Sequence, residues 1–201
     1  MSFWLRIARF LSAGILLLTG CGYLPAPTPA LPDLGAVPDF QLTRETGAAF
    51  QSAAELKGKI WIADFIFTNC PGPCPRLTQH MKHVQEGVVG MDQVKLVSFT
   101  VDPLRDTPAV LAAYGKRFGA DPARWYFLTG SRADLHHLSK DVFHLGDVAP
   151  DLEHSTRFVL VDQHARIRGY YGTSSAESPG LEPSAISKLI EDSKRLVRES
   201  N

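Results

Sequence analysis

Apolar positions along the chain gather into short dense runs, and the spacing within each run predicts its element. Lys59-Ile60-Trp61-Ile62-Ala63-Asp64-Phe65-Ile66-Phe67 is almost unbroken, aromatic and β-branched, the mark of a central strand covered on both faces. From Pro75 to Val88 polar residues dominate, but Leu77, Met81, Val84 and Val88 return at helical spacing, which predicts a helix with one apolar stripe. Val94 to Val101 reads as a second strand. Pro108 to Phe118 reads as a second helix, with Thr107 placed to cap it and Pro108 in its first turn. Trp125 to Leu128 is a short strand and Arg132 to Lys140 a helix. Thr156 to Val161 is a strand that turns at Asp162-Gln163-His164-Ala165 into Arg166 to Tyr171, a hairpin. A last helix starts near Glu182, with Ile186, Leu189, Ile190 and Leu196 on one side. Alternating elements with a late hairpin predict an α/β class domain around a mixed sheet flanked by helices.

Ahead of this pattern lies a segment with a different logic. Arg6 and Arg9 precede the apolar run Phe10 to Leu18, a charged start followed by a short hydrophobic stretch, as in an export signal. The run is shorter than the roughly 20 residues that span a bilayer. It ends at Leu18-Thr19-Gly20-Cys21 and resembles a bacterial lipoprotein signal, whose cleavage leaves Cys21 as the lipid-bearing first residue. An uncleaved anchor helix is the alternative, and in both cases the domain is expected outside the cytoplasm. Pro25, Pro27, Pro29 and Pro32 then favour an extended, semi-rigid stalk. The expected organisation is a signal at 1–20, a Pro-rich tether at 21–36 and a single domain at 37–201.

Composition narrows the function class. In 201 residues, 44% hydrophobic and 21% charged, there is enough apolar material for a sizeable core. Lys plus Arg equals Asp plus Glu at 21 each, so the extended basic surface that phosphate backbones require is missing and nucleic acid is excluded as an expected partner. Loss of the signal leaves 19 basic side chains against 21 acidic ones. Nothing in the chain calls for more than a monomer.

Candidate chemistry concentrates in Cys70-Pro71-Gly72-Pro73-Cys74, two thiols four positions apart where a buried strand hands over to a helix. Pro75 suits a first helical turn, which puts Cys74 near the helix start, where unpaired N–H groups and the dipole favour a thiolate. Metal binding and thiol–disulfide exchange both use that thiolate. A structural disulfide is the third option, although so small a loop gains little chain-entropy stabilisation. Thioredoxin redox motifs have two residues between the cysteines, and here there are three. Two soft thiolates suit Cu(I), whereas a structural zinc site takes four ligands and the chain has three cysteines, Cys21 among them. An imidazole would complete a Cu(I) site. His80 and His83 on the helix, and His136, His137, His144 and His164 in polar or turn segments, read as surface residues. His154 differs, since it lies just ahead of the strand at Thr156, where a thioredoxin fold brings a loop against the cysteine loop; a hydrogen-bonded loop histidine is its bland alternative.

Four segments together resemble the Sco/SenC family of thioredoxin-like copper proteins that assist cytochrome c oxidase assembly. They are Phe67-Thr68-Asn69-Cys70-Pro71-Gly72-Pro73-Cys74-Pro75, Ser98-Phe99-Thr100-Val101-Asp102-Pro103-Leu104-Arg105-Asp106-Thr107-Pro108, Leu128-Thr129-Gly130, and His154-Ser155 ahead of Leu160-Val161-Asp162. The resemblance covers most of residues 37–195. It implies a thioredoxin-like fold with an N-terminal β-hairpin, and Cys70, Cys74 and His154 as copper ligands, for Cu(I) first and Cu(II) also. It further implies an oxidase copper-site subunit as partner, with periplasmic copper chaperones or thiol reductants beside it, and a membrane-anchored lipoprotein facing the periplasm. Asp102 and Asp106 would serve partner docking or copper tuning; turn formation and helix initiation explain them as well. Family members often carry an acidic residue inside the cysteine loop, where this chain has Gly72 and Pro73. The expected role is a copper chaperone, which is not an enzyme. The rival is a thiol–disulfide oxidoreductase using Cys70 and Cys74 to reduce an oxidase copper site, with a thiol peroxidase behind it.

Overall fold

The apolar run around Ile62 becomes the centre of a sheet because it has apolar neighbours on both sides. The structure, a computed structural model, describes residues 29–145, 157–172 and 183–200. The calls on the export signal and Cys21 fall outside the described residues, as does that on His154.

Strand β3 (Ile60–Ile66) is buried along its whole length. It pairs in parallel with β4 (Val94–Thr100), which pairs in parallel with β5 (Trp125–Thr129). On its other side β3 meets β6 (Phe158–Val161) antiparallel, and β6 continues through a hairpin into β7 (Ile167–Tyr171). A hairpin of β1 (Gln41–Arg44) and β2 (Ala49–Gln51) joins the β5 edge, giving the order β2-β1-β5-β4-β3-β6-β7. This is the mixed sheet expected, with the N-terminal hairpin in place, and the fold is thioredoxin-like α/β.

Period-two alternation splits the sheet into two packed faces. Ile60, Ile62 and Ile66 share one with Leu77, Met81 and Val84 of α2 (Pro73–Gly87), Leu111 and Tyr114 of α3 (Pro108–Arg117), and Ile186, Leu189 and Leu196 of α5 (Pro183–Glu199). Full burial of each such aliphatic side chain stabilises by roughly 1.5–3 kcal/mol. Trp61, Ala63 and Phe65 point the other way, onto Phe99, Phe143, Leu135 and Leu138. The short α1 (Ser52–Glu55) follows β2 directly.

Three local features differ from the pattern-based reading. Helix α2 begins at Pro73, before Pro75, so Cys74 sits within its first turn behind Gly72 as N-cap. The helix expected at 132–140 is α-helical only over α4 (Arg132–His136); it widens into a π-helical stretch at His137–Val142, which keeps Leu135, Leu138 and Val142 all buried. The compact unit also reaches back to Leu31, because Leu34 and Val37 donate backbone hydrogen bonds to Ile167 and Ala165 at 2.9 and 2.8 Å along the β7 edge. Thr107 caps α3 as expected, its hydroxyl accepting the Val110 N–H at 3.4 Å. Close packing of α3 on β5 depends on Gly115, where a Cβ would stand 2.8 Å from the Phe127 ring.

Candidate metal centre

Parallel pairing of β3 and β4 brings the loops at their carboxyl ends side by side, the place where open α/β sheets gather functional groups. The loop after β3 carries Cys70 and leads into α2 with Cys74. The loop after β4 carries Asp102 and Asp106. Val101 donates its N–H to Ile66 at 2.8 Å, carrying the pairing one step past the strands.

Asp106 then locks the loops together. Its carboxylate, wholly buried, accepts the Thr68 backbone N–H at 3.1 Å, the Thr68 hydroxyl at 2.5 Å and the Thr100 hydroxyl at 2.6 Å. Asp102 is turned toward its own loop: it accepts an ion pair from Arg105 at 3.0 Å, and its N–H is held by the Thr100 hydroxyl at 2.9 Å. Sequence reasoning placed Asp106 in turn formation or partner docking. In the fold its carboxylate faces inward and fixes the approach to Cys70.

Cys70 and Cys74 are both reduced and both belong to the apolar cluster on the α2 face of the sheet. Cys70 is 7% exposed and Cys74 only 2%, so the pair has an outer and an inner member. The Cys70 sulfur accepts the Gly72 N–H at 3.4 Å, a bond open to it because the loop curls back before α2. The expectation that the helix start makes Cys74 a ready thiolate does not hold. Burial pushes its thiol strongly upward; the Phe67 amide pulls it back only in part, and the neighbouring Cys70 thiol and the charge of Asp64 push it further up. Desolvation outweighs the helix dipole because the sulfur points into the core.

Beneath the cysteines lies a small polar island that the sequence reading did not assemble. The Thr78 hydroxyl donates to the Cys74 carbonyl at 3.0 Å, leaving the Tyr114 hydroxyl to donate to Thr78 at 2.8 Å. Burial raises the Tyr114 phenol well above its ordinary value, against a partial opposing pull from Thr78. Asp64 on β3 is fully buried, and neither of its oxygens meets a hydrogen-bond donor. Its register partner Ser98, whose hydroxyl accepts the Trp125 indole N–H at 2.9 Å and keeps its own O–H free to turn toward Asp64, lowers the carboxyl only somewhat. Burial dominates and lifts Asp64 from 3.8 to about 7. The signal was present in the chain, as one charged residue inside an otherwise apolar central strand.

The remaining histidine positions sort themselves. His80 and His83 lie on the outer side of α2 with ring centroids 6.1 Å apart, and burial, then His83 and Arg76, lower the His80 imidazole. His137 pairs with Asp141 at 2.9 Å, and His144 and His164 are exposed. Among the described residues no group of three metal-ligating side chains assembles. What does assemble is two soft sulfur donors at a rigid strand–helix junction, half of a low-coordinate thiolate site.

Residues 31–190 match the SCO1/SenC family. The chain belongs to the SCO1/SenC family. A SCO1/SenC lipoprotein from Bacillus anthracis str. Ames is 35% identical with a TM-score of 0.72, over 84% of this chain and 99% of its own. BsSco, described as a member of the Sco family of cytochrome c oxidase assembly proteins with a disulfide switch, is 27% identical with a TM-score of 0.71, over 84% and 97%. A putative copper-binding protein of Stutzerimonas stutzeri is 32% identical over 70% of this chain and 71% of its own. Of the segments that suggested the family from sequence, residues 67–75 and 98–108 lie at the carboxyl ends of β3 and β4 and residues 128–130 end β5, whereas residues 160–162 end the antiparallel β6. Among the described residues no helix is long and apolar enough to cross a membrane.

Proposed function

We propose that this SCO1/SenC protein is a copper chaperone that takes up Cu(I) on Cys70, Cys74 and His154 and passes it to a copper-site subunit of cytochrome c oxidase. One observation carries the reading: two free thiols lie together at the entrance to α2, both buried, with Cys70 slightly the more exposed. Paired thiolates are soft donors that fit Cu(I), and a neutral imidazole suits the same ion. Both thiol protons leave when the metal binds, so the strongly raised Cys74 thiol favours metal exchange over free thiolate chemistry. Transfer then proceeds by ligand exchange: an acceptor thiolate replaces Cys70, the outer ligand, before Cys74 releases the ion. Asp106 acts from below by holding the Cys70 loop in place. Family relatives that bind copper and assemble oxidases support the cargo and the recipient.

The setting follows the same reading. The chain is exported, its signal at 1–20 is removed, and a lipid on Cys21 holds the domain near the membrane on the periplasmic side through the tether at 21–36. In that oxidising compartment a Cys70–Cys74 disulfide would abolish the site, so loading waits on reduction.

A second reading, thiol–disulfide exchange with an oxidase subunit, is favoured by the pairing of two free thiols of which Cys70 is slightly the more exposed and would attack first. Anaerobic Cu(I) titration of the reduced full-length protein beside Cys70→Ser, Cys74→Ser and His154→Ala separates the two. The chaperone reading expects stoichiometric tight binding that weakens in all three variants. Unchanged affinity in His154→Ala removes the histidine from the ligand set, and loss of dithiol exchange alone, with copper binding absent from the parent, turns the assignment to the oxidoreductase.

A further inference from the structure

Among the described residues, Asp64 alone has a fully buried carboxylate with no donor at either oxygen. A group so placed lowers stability unless something else balances it, so packing does not explain it. It lies on β3 between Ile62 and Ile66, on the face that also holds Cys70, Cys74, Leu77 and Met81. Its charge is felt at the Cys74 thiol and at the Tyr114 phenol. Little water screens it there.

We propose that Asp64 weights the cysteine site toward divalent over monovalent cations, making it a specificity-determining residue for the oxidation state of the copper held. The inference rests on the copper reading above. Two thiolates and a neutral imidazole balance a dication fully and overcompensate a monocation by one charge. The carboxylate adds one negative charge that the apolar shell leaves unpaired; it repels the extra negative charge of a monocation held by two thiolates and leaves the neutral dication site unopposed. Without Asp64 the same ligands would suit Cu(I) better.

The test compares the reduced full-length parent with Asp64→Asn, under anaerobic conditions at pH 8.5, above the point to which burial lifts the carboxyl. The probes are Cu(I), measured against a chromogenic chelator, and Cd(II), a dication that does not oxidise thiols. For a unit charge roughly 10 Å away at an effective dielectric near ~20, affinity changes about tenfold per unit of net charge that the site gains on binding. Loading releases both thiol protons, so the site gains one negative charge with Cu(I) and none with Cd(II); Asp64→Asn is therefore expected to strengthen Cu(I) about tenfold and to leave Cd(II) close to the parent, lowering the Cd(II):Cu(I) preference about tenfold. Asp64→Leu gives the same shift if the amide variant fails to fold. Ser98→Ala, a neutral change at the register partner, leaves the preference alone. An equal change for both ions, or no change, overturns the proposal while leaving the copper reading intact. Failure of the parent to bind Cu(I) at all overturns the copper reading first.

Discussion

The Asp106 carboxylate accepts both the backbone N–H and the hydroxyl of Thr68, at 3.1 and 2.5 Å, two residues ahead of Cys70. The loop that presents the outer thiol is thus hung from the loop after the neighbouring strand, with the Thr100 hydroxyl at 2.6 Å as a third bond. Asp106→Ala strands three donors, the buried Thr100 hydroxyl and the part-buried Thr68 N–H and hydroxyl, with a cost of about 1–3 kcal/mol for a fully buried one left unpaired. A loss of about 3 kcal/mol in urea-induced unfolding is expected, together with faster alkylation of Cys70. Asp106→Asn keeps the shape and should lose less. Wild-type stability and wild-type Cys70 reactivity in the alanine variant would show that the bridge holds nothing in place.

Asp64 makes stability depend on pH. Its folded value of about 7 lies above the unfolded 3.8, so between those points the folded chain holds a proton that the unfolded chain has released. Stability from this group is therefore full at acid pH and is lost as pH rises toward and past about 7, the reverse of a salt-bridged carboxylate. At pH 8 the penalty amounts to at most about 4 kcal/mol, since one pKa unit is worth about 1.4 kcal/mol. Asp64→Asn should be more stable than the parent at pH 8, with the advantage shrinking as pH falls toward 4. Urea midpoints at the two pH values read this directly, and a less stable amide variant at pH 8 would refute the sign.

The parts of the fold legible in the chain were those written in periodicity: β3, β4, α2, α3 and the β6–β7 hairpin stand close to where apolar spacing puts them. The N-terminal hairpin came only through the family resemblance, because β1 and β2 are short and bury one residue each, Leu42 and Phe50. The thiol pair was visible from spacing and from its place before a helix. Its electrostatics were not, since the dipole argument uses local sequence while the dominant effect, burial of Cys74, depends on β3 and α3 packing around it. Asp106 looked like a turn former because its partners, Thr68 and Thr100, are 38 and 6 positions away. Asp64 was passed over because a strand pattern counts one charge in an apolar run as noise.

Tyr114 and Thr78 give a test of how far the polar island supports Cys74. Thr78 bridges the Cys74 carbonyl and the Tyr114 hydroxyl, so Thr78→Val leaves the buried phenol unpaired whereas Tyr114→Phe leaves Thr78 with its carbonyl partner. Destabilisation of about 2 kcal/mol is expected for Thr78→Val and about 1 kcal/mol for Tyr114→Phe, with the double variant well short of their sum. Denaturant titration of the set decides it; equal and additive losses would mean that the two hydroxyls are not coupled.

The strap at Leu31 to Val37 is fastened unequally, and the difference can be measured. Arg168 donates to the Asp162 carboxylate at 2.7 Å and to the carbonyls of Pro32 and Leu31 at 2.8 and 2.5 Å, while Asp162 is almost completely buried. Arg166 reaches Asp33 at 2.8–3.0 Å, but both side chains stand in solvent, where screening and side-chain entropy leave such a pair little net effect. Arg168→Ala removes the charged partner of a buried carboxylate and is expected to destabilise by about 2–3 kcal/mol. It should also speed amide hydrogen exchange at Leu34 and Val37, whose bonds run to the same strand edge. Asp33→Ala should leave the unfolding midpoint within error and its effect should vanish in high salt. Because both arginines lie on the β7 side of one hairpin, equal losses in the two variants would mean that exposure, not charge pairing in the core, was misjudged here.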